Sequence, residues 1–311
     1  MNSDAPEGRF YWPQLDGLRA TAFLLVFVSH QGPLNGMPEG QPWQLVSAVV
    51  NKVVTWGWSG VDLFYVLSGY LITTILSMER LRTGAVSFRS FFCRRALRIW
   101  PLHYWIVFLS CFVAPFWGFW GVSFSSPVWG EMMRNYAGWF ALFLGNFPMA
   151  FHEAVGVSSL LAIMWSVCME EQFYLAWGAA MRFMSRLKGI VVLLVSVLAL
   201  SLCVRWWLQH GSANHYGYYY NTFSHLDPFA IGCLAALLTV RLAAVAAFVR
   251  RYAAGLVVAG LAVLLGLACR APTIFENTAF NVPMFSILSF GWVLVLVGML
   301  GSKAMAWPFK T

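Results

Sequence analysis

The chain has 311 residues, of which 60% are hydrophobic and only 10% are charged. A soluble domain carries roughly 25% charged residues, so this composition excludes an ordinary soluble enzyme and predicts an integral membrane protein. The net charge of +8 fits basic residues at the cytoplasmic ends of membrane spans, and no stretch indicates a nucleic-acid partner. The six cysteines are scattered, without metal-ligand spacing or a disulfide pattern, so no metal site is expected.

Apolar runs along the chain predict an all-α, polytopic transmembrane helix bundle of about eight spans, forming a single domain over 1–311. The predicted spans are 15–32, 53–77, 101–120, 159–181, 189–209, 223–240, 252–269 and 282–301. Both termini and the arginine-rich loop 78–100 are then expected to be cytoplasmic. A shorter apolar stretch, 136–151, is interpreted as a re-entrant or interfacial segment, because a crossing there would move the basic cluster 182–188 outside.

The first predicted span carries ionisable residues that lipid disfavours. In "LDGLRATAFLLVFVSH", Arg19 and His30 are 11 residues apart, which places them on one helix face and about 16 Å apart along the axis. Asp16 precedes Arg19 by three residues, so the two could form only an interfacial ion pair. His30 lies near the outer end, where it could simply reach water. Asp62, in the second span, could be a helix N-cap or a packing partner instead of a site residue.

Two adjacent acids, Glu170 and Glu171, lie near the middle of the fourth predicted span, in "WSVCMEEQFY". They point about 100° apart on a helix, so at most one of them faces a central site. Ser166, Glu170 and Tyr174 share a face, which favours Glu170 as the site residue and Glu171 as a structural partner. Trp165 begins the same stretch and adds an aromatic ring to this region.

Two further groups of polar residues flank later spans. Arg94, Arg95 and Arg98 precede the third span in "FFCRRALRIWPLHY", where cytoplasmic anchoring alone could explain them. His225 and Asp227 enter the sixth span in "SHLDPFAIG", and Asp227 before a proline could be a helix N-cap. Because each ionisable residue in a span costs several kcal/mol, their coincidence in one bundle favours a functional site.

These residue types indicate a reaction class. The chain has no glycine-rich phosphate loop, no GxSxG motif and no HExxH motif. A histidine with nearby carboxylates can activate a hydroxyl as a general base, and arginines can bind phosphate. The pattern therefore predicts group transfer from a phosphate-bearing donor to a hydroxyl. A transporter or flippase with a His/Glu proton relay is the alternative, although the chain shows none of the internal repeats expected of one.

Five motifs follow one another along the chain. They are "LDGLRA…SH" at 15–30, "GVDLFYVLSGYLIT" at 60–73, "FFCRRALRIWP" at 91–101, "WSVCMEEQFY" at 165–174 and "HLDPFAIGCLAA" at 225–236. In this order they resemble the acyltransferase-3 family of integral membrane O-acyltransferases. The resemblance implies transfer of an acyl group, expected to be acetyl, from acyl-CoA to a carbohydrate or lipid-linked glycan hydroxyl. It also implies no bound cofactor and a location among the lipids of the bacterial inner (plasma) membrane.

The chain departs from the family pattern at two places. His225 occupies a position where the family often has an arginine. The family also usually continues beyond a segment like Trp307–Pro308, whereas this sequence stops at Thr311. The chain is therefore expected to be a C-terminally truncated or divergent member, and an inactive remnant is a further alternative.

The resemblance and the residue chemistry together assign roles to particular side chains. The expected catalytic residues are His30 as general base, with Glu170 or Asp62 to orient its imidazole. The residues expected to bind the phosphates of the donor are Arg19, Arg94, Arg95 and Arg98. The remaining expected site residues are Asp16, Trp165, Ser166, Tyr174, His225 and Asp227.

The arginine-rich segment supplies a test of the membrane orientation. A single cysteine introduced as Ser87→Cys is expected to resist a membrane-impermeant thiol reagent added to intact cells and to react after the cells are opened, because basic segments stay cytoplasmic. Mass spectrometry of the purified protein measures the labelling. Strong labelling in intact cells would reverse the orientation of the whole bundle.

Overall fold

The computed structural model describes residues 12–32, 40, 42–119, 123–152, 157–211, 217–270 and 280–302. The regular structure of these residues is helical and contains no strand, which confirms the predicted all-α class. The α-helices are α1 (Pro13–Ser29), α2 (Trp43–Trp56), α3 (Ser59–Thr83), α4 (Phe88–Phe108), α5 (Ala114–Trp117), α6 (Pro127–Met132), α7 (Gly138–Ala141), α8 (Asn146–His152), α9 (Ser159–Ala162), α10 (Trp165–Phe183), α11 (Leu187–Gly211), α12 (Gly217–Tyr220), α13 (Asp227–Arg241), α14 (Ala243–Arg251), α15 (Ala253–Arg270) and α16 (Asn281–Gly301). A π-helical stretch, Leu109–Val113, joins α4 to α5.

Five helical segments of the described chain are long and apolar enough to cross a membrane, so this is an integral membrane protein. They are Ser59–Thr83, Phe88–Trp117, Leu187–His210, Ala253–Arg270 and Asn281–Gly301. The pair α13 and α14, bent by 103°, forms a sixth if it is one broken span. The first and fourth predicted spans correspond to α1, whose 17 residues reach about 26 Å, and to α10, which carries the two glutamates. The total of about eight spans stays a prediction.

The structure corrects the predicted ends of several spans. The segment 78–100 is not a loop, since α3 continues to Thr83 and α4 begins at Phe88. Only 84–87 connects these two helices, and Gly84 ends α3 with a φ of 77°, a left-handed conformation that favours glycine. Hydropathy marks only the apolar part of a helix, whereas arginine is itself a good helix former and extends it.

The apolar segment 136–151 is a broken helix. Backbone carbonyls near the break accept hydrogen bonds from side chains of neighbouring helices. Phe143 lies at the break with a φ of 57°. His103 of α4 donates from Nε2 to the carbonyl oxygen of Phe140 at 2.8 Å, and Gln172 of α10 donates to that of Phe143 at 2.8 Å. Irregular backbone inside a membrane needs such protein partners. The contacts fit the expected re-entrant or interfacial segment, whose depth in the bilayer stays a prediction.

Helix α3 is the centre of the bundle and contacts α1, α10, α13 and α16. Glycines allow two of these approaches. A Cβ added at Gly69 would collide with the backbone of α13, one at Gly232 would collide with the backbone of α3, and one at Gly60 would collide with the carbonyl of Ala22 in α1. Close backbone approach through small residues is a common way to pack membrane helices. It brings the backbones of α1 and α13 into direct contact with α3.

Candidate active site

Two cavities lie along α1, one at Arg19 and one at His30. The first, the basic cavity, has a volume of about 200 Å³. Its lining residues are Arg19, Phe64, Leu67, Ser68, Leu71, Ile72, Arg95, Arg98, Ile99, Glu170 and Tyr174. The second, the histidine cavity, has a volume of about 360 Å³. Its lining residues are Val26, Ser29, His30, Gly32, Val54, Thr55, Trp58, Val61, Ile163, Trp165, Ser166, Tyr219 and Tyr220.

The imidazole of His30 is oriented by its own helix. Its Nδ1 lies 2.7 Å from the carbonyl oxygen of Val26. A carbonyl oxygen can only accept a hydrogen bond, so Nδ1 carries the proton and the neutral ring keeps its lone pair on Nε2. The side chain is exposed and lines the histidine cavity. When neutral, His30 therefore presents an unprotonated Nε2 to the cavity, which is the form that a general base for a hydroxyl requires.

The basic cavity combines three guanidinium groups with one carboxylate. Glu170 accepts hydrogen bonds at Oε1 from the hydroxyls of Ser68 and Tyr174. The guanidinium of Arg95 lies 5.4 Å from the centre of the Tyr174 ring. Arg19 and Arg98 complete the cationic lining. Guanidinium groups are well suited to phosphate, so this cavity is the phosphate-binding candidate in the described part of the chain.

The predicted donor-binding arginines do not all meet. Arg19, Arg95 and Arg98 line the basic cavity, whereas Arg94, one turn before Arg98 on α4, is exposed, bonds the Ser90 hydroxyl and is absent from the lining. Arg19 also forms the 2.8 Å ion pair with Asp16 that their spacing allows. This pair is on the surface and contributes little to stability. Asp16 therefore contacts the site only through Arg19.

The structure does not bring Asp62 or Glu170 to His30. Asp62 Oδ1 lies 2.9 Å from His225 Nε2, and the Nδ1 of His225 lies 3.0 Å from the carbonyl oxygen of Tyr219. Both residues of this pair are buried. Glu170 lines the other cavity. The expected orientation of the His30 imidazole by one of these carboxylates is therefore replaced by the backbone contact at Val26. Asp62 points away from α1 because it faces the α13 side of α3.

Sequence reasoning missed Arg205, which lies in the apolar helix α11. Its Nη2 is 2.9 Å from Asp227 Oδ2, and both side chains are fully buried. Ser286 of α16 donates to the same carboxylate oxygen at 2.6 Å. Asp227 is thus an ion-pair partner inside α13, and the N-cap of this helix is Leu226. A single arginine within an apolar span was the available signal for this pair.

The two adjacent glutamates differ as their positions on the helix predict. Glu171 accepts a hydrogen bond at Oε2 from the indole Nε1 of Trp100 at 3.1 Å, which ties α10 to α4. Glu170 instead faces the basic cavity. One turn earlier, Ser166 lines the histidine cavity, as does Trp165, whose ring centre lies 4.7 Å from that of Tyr219. Among the described residues, no group of three His, Cys, Asp or Glu side chains is placed to hold a metal ion.

A family model of acyltransferase domains matches residues 12–310, nearly the whole chain. The chain belongs to the acyltransferase-3 family. This confirms the resemblance carried by the five motifs, and the chain is a membrane-embedded acyltransferase domain. No solved structure matches it.

Three curated bacterial proteins are similar to this chain over part of their own length. YrhL of Bacillus subtilis, a candidate peptidoglycan O-acetyltransferase, is 31% identical over 73% of this chain and 33% of its own length. The peptidoglycan O-acetyltransferase OatA of Listeria monocytogenes is 30% identical over 64% of this chain and 29% of its own length. The O-acetyltransferase OatA of Staphylococcus aureus is 28% identical over 73% and 35%. The acyltransferase-3 chain thus spans about a third of the length of these relatives.

The two glutamates are expected to respond differently to neutralisation. Glu170→Gln places an amide among the hydroxyls and guanidiniums of the basic cavity, so acyl transfer is expected to fall at least about tenfold with normal folded yield. Glu171→Gln keeps an acceptor for Trp100, so activity is expected to stay within about threefold. Product formation in nanodiscs and size-exclusion profiles measure both effects. Equal activity losses at equal folded yield would contradict the different roles.

Removing one partner of the buried Arg205–Asp227 ion pair is expected to destabilise the protein more than removing both. Asp227→Leu leaves the guanidinium of Arg205 buried and unpaired, which is expected to destabilise the protein by roughly 3–5 kcal/mol. The double variant Arg205→Met/Asp227→Leu removes both charges and is expected to recover most of that loss. Unfolding of the detergent-solubilised protein measures this, with Ser286→Ala as the control that removes one hydrogen bond. A double variant no more stable than Asp227→Leu alone would refute the pairing argument.

Proposed function

We propose that this domain transfers an acetyl group from acyl-CoA, specifically acetyl-CoA, to a hydroxyl of a carbohydrate at the bacterial plasma membrane. The observation that carries the proposal is the free Nε2 of His30 in a cavity, on the same helix that presents Arg19 to the basic cavity. The names of the relatives, peptidoglycan O-acetyltransferases, support a glycan acceptor. The acceptor is then peptidoglycan or a lipid-linked glycan.

The basic cavity supports the proposal for the donor. Arg19, Arg95 and Arg98 offer guanidinium groups around a space that suits the phosphate-bearing end of CoA. CoA is larger than this cavity, so its pantetheine arm must extend beyond it. Arg19 and His30 are about 16 Å apart along α1, and the arm running along this helix would carry the thioester toward His30.

The histidine cavity supports the proposed chemistry. The acceptor hydroxyl gives its proton to His30 Nε2 while its oxygen attacks the thioester carbonyl carbon. A new C–O bond forms, the C–S bond breaks, and the CoA thiolate takes the proton back from the imidazolium. The carbonyl oxygen of Val26, 2.7 Å from Nδ1, stabilises the positive ring during this exchange. Such general-base assistance typically accelerates a reaction by about 10²–10⁴-fold.

Mutations at the two ends of α1 are expected to impair different steps, turnover at His30 and donor binding at Arg19. His30→Ala is expected to lower turnover by about 10²-fold or more while donor binding changes little. Arg19→Ala is expected mainly to raise the apparent KM for acetyl-CoA, because a phosphate contact is present in the ground state as well. Arg19→Lys should recover only part, since a point charge replaces a planar group. Calorimetry with acetyl-CoA and product analysis in nanodiscs measure both quantities.

The matched control is Gln31→Ala, which alters an exposed neighbour of His30 whose side-chain amide donates to the carbonyl oxygen of Phe27. This variant should keep both donor binding and turnover. If His30→Ala loses donor binding as completely as Arg19→Ala does, the division of roles along α1 is wrong. If neither variant affects transfer, the proposed site is wrong.

A further inference from the structure

The basic cavity and the histidine cavity are separated by about one helical turn on α3 and α10, and by two turns on α1, where Arg19 lines the first and Val26 the second. On α3, Val61 lines the histidine cavity and Phe64 and Ser68 line the basic cavity. On α10, Ser166 lines the histidine cavity and Glu170 the basic one. Three or four helical residues correspond to about 5–6 Å. On the α3 and α10 side, the barrier between the two cavities is therefore about as thick as one side chain.

Phe64 is the α3 side chain placed to form this barrier. It lies on the same face as Val61 and Ser68, between them along the helix. Its polar neighbours on α3 already have hydrogen-bond partners. Asp62 bonds His225, and the Tyr65 hydroxyl donates to the carbonyl oxygen of Ser166 at 3.3 Å. The Phe64 ring is only half-buried and borders open space. Displacing this apolar ring would break no hydrogen bond of its own.

We propose that the Phe64 side chain separates the basic cavity from the histidine cavity and that the thioester arm of the donor displaces it. The proposal rests on the proposed function for the identity of the donor. The arm is narrow and uncharged, so it can pass an aromatic ring, while the phosphates stay with Arg19, Arg95 and Arg98. Phe64 is a positioning residue in this scheme, because it controls where the thioester lies without taking part in bond making.

The first test measures the barrier without requiring turnover. Ser166→Cys places a thiol at the histidine cavity, in a background where the exposed Cys93, Cys203 and Cys269 are changed to serine. A small, charged methanethiosulfonate reagent is applied to either face of vesicles with known protein orientation. In the chain with Phe64, labelling is expected only from the face nearer His30. Equal labelling from both faces would overturn the barrier.

Variants at Phe64 then decide whether this ring is the barrier. Adding Phe64→Ala to the Ser166→Cys chain is expected to make the introduced thiol react from the Arg19 face as well, at least about tenfold faster than before. The matched control is Leu71→Ala, since Leu71 lines the same basic cavity two turns farther from His30 and should leave labelling one-sided. One-sided labelling in Phe64→Ala would overturn the proposal. Phe64→Leu serves as a milder opening if the alanine variant yields little folded protein.

Enlarging the ring tests passage of the arm. Phe64→Trp is expected to lower kcat with acetyl-CoA by more than about tenfold, because the thioester is held away from His30. Calorimetric affinity for CoA itself should stay within about threefold, since the arginines are unchanged. Unchanged kcat in this variant would overturn the passage role. A wild-type chain that neither binds nor uses acetyl-CoA would instead overturn the proposed function, while the labelling pattern still decides whether Phe64 is the barrier.

Discussion

The close packing of α3 against α1 and α13 is the constraint on which the other features of this protein depend. Gly60 and Gly69 bring the backbones of three helices together. Because lipid chains are as apolar as leucine side chains, membrane helices associate through such tight packing and through polar contacts. The packing sets the distance of Arg19 and His30 from α3. It also leaves a groove toward α10, which approaches α3 through the Ser68–Glu170 hydrogen bond.

The polar residues of the bundle divide into two groups with different environments. Asp62 with His225 and Arg205 with Asp227 are fully buried pairs that join α3, α11 and α13. Arg205 and Asp227 form an ion pair, and Asp62 and His225 share a hydrogen bond, which is how ionisable groups are tolerated away from water. His225 packs behind the histidine cavity, with its ring centre 5.3 Å from that of Tyr219, which lines the cavity. The buried pairs support the site without lining it.

The second group faces open space and keeps its binding capacity. Arg19, Arg95 and Arg98 surround a single carboxylate in the basic cavity, so the local charge is positive and suits an anionic donor. His30 keeps Nε2 free because its other nitrogen is bonded to the backbone. In serine proteases a carboxylate orients the catalytic imidazole, whereas here a carbonyl one helical turn away does so.

The sequence alone determined the helical class and the membrane location, because composition and apolar runs reflect what lipid accepts, and its five ordered motifs predicted the family through resemblance. Helical periodicity also predicted the shared face of Arg19 and His30 and the different directions of Glu170 and Glu171, since neighbours on one helix obey fixed angles. The ends of the helices were less predictable. Hydropathy does not mark the charged turns that continue a helix, and it missed α2 and the break near Phe143.

Only the tertiary structure decided which side chains from different helices meet. Asp62 pairs with His225, 163 residues away along the chain. The His30 imidazole instead bonds the backbone carbonyl of its own helix. Arg205 forms an ion pair with Asp227, a contact between two helices that the spacing within one helix could not predict. These contacts depend on how α3, α11 and α13 are rotated and pressed together. That rotation is set by backbone packing at glycines across helix interfaces, a long-range interaction that no local pattern in the sequence contains.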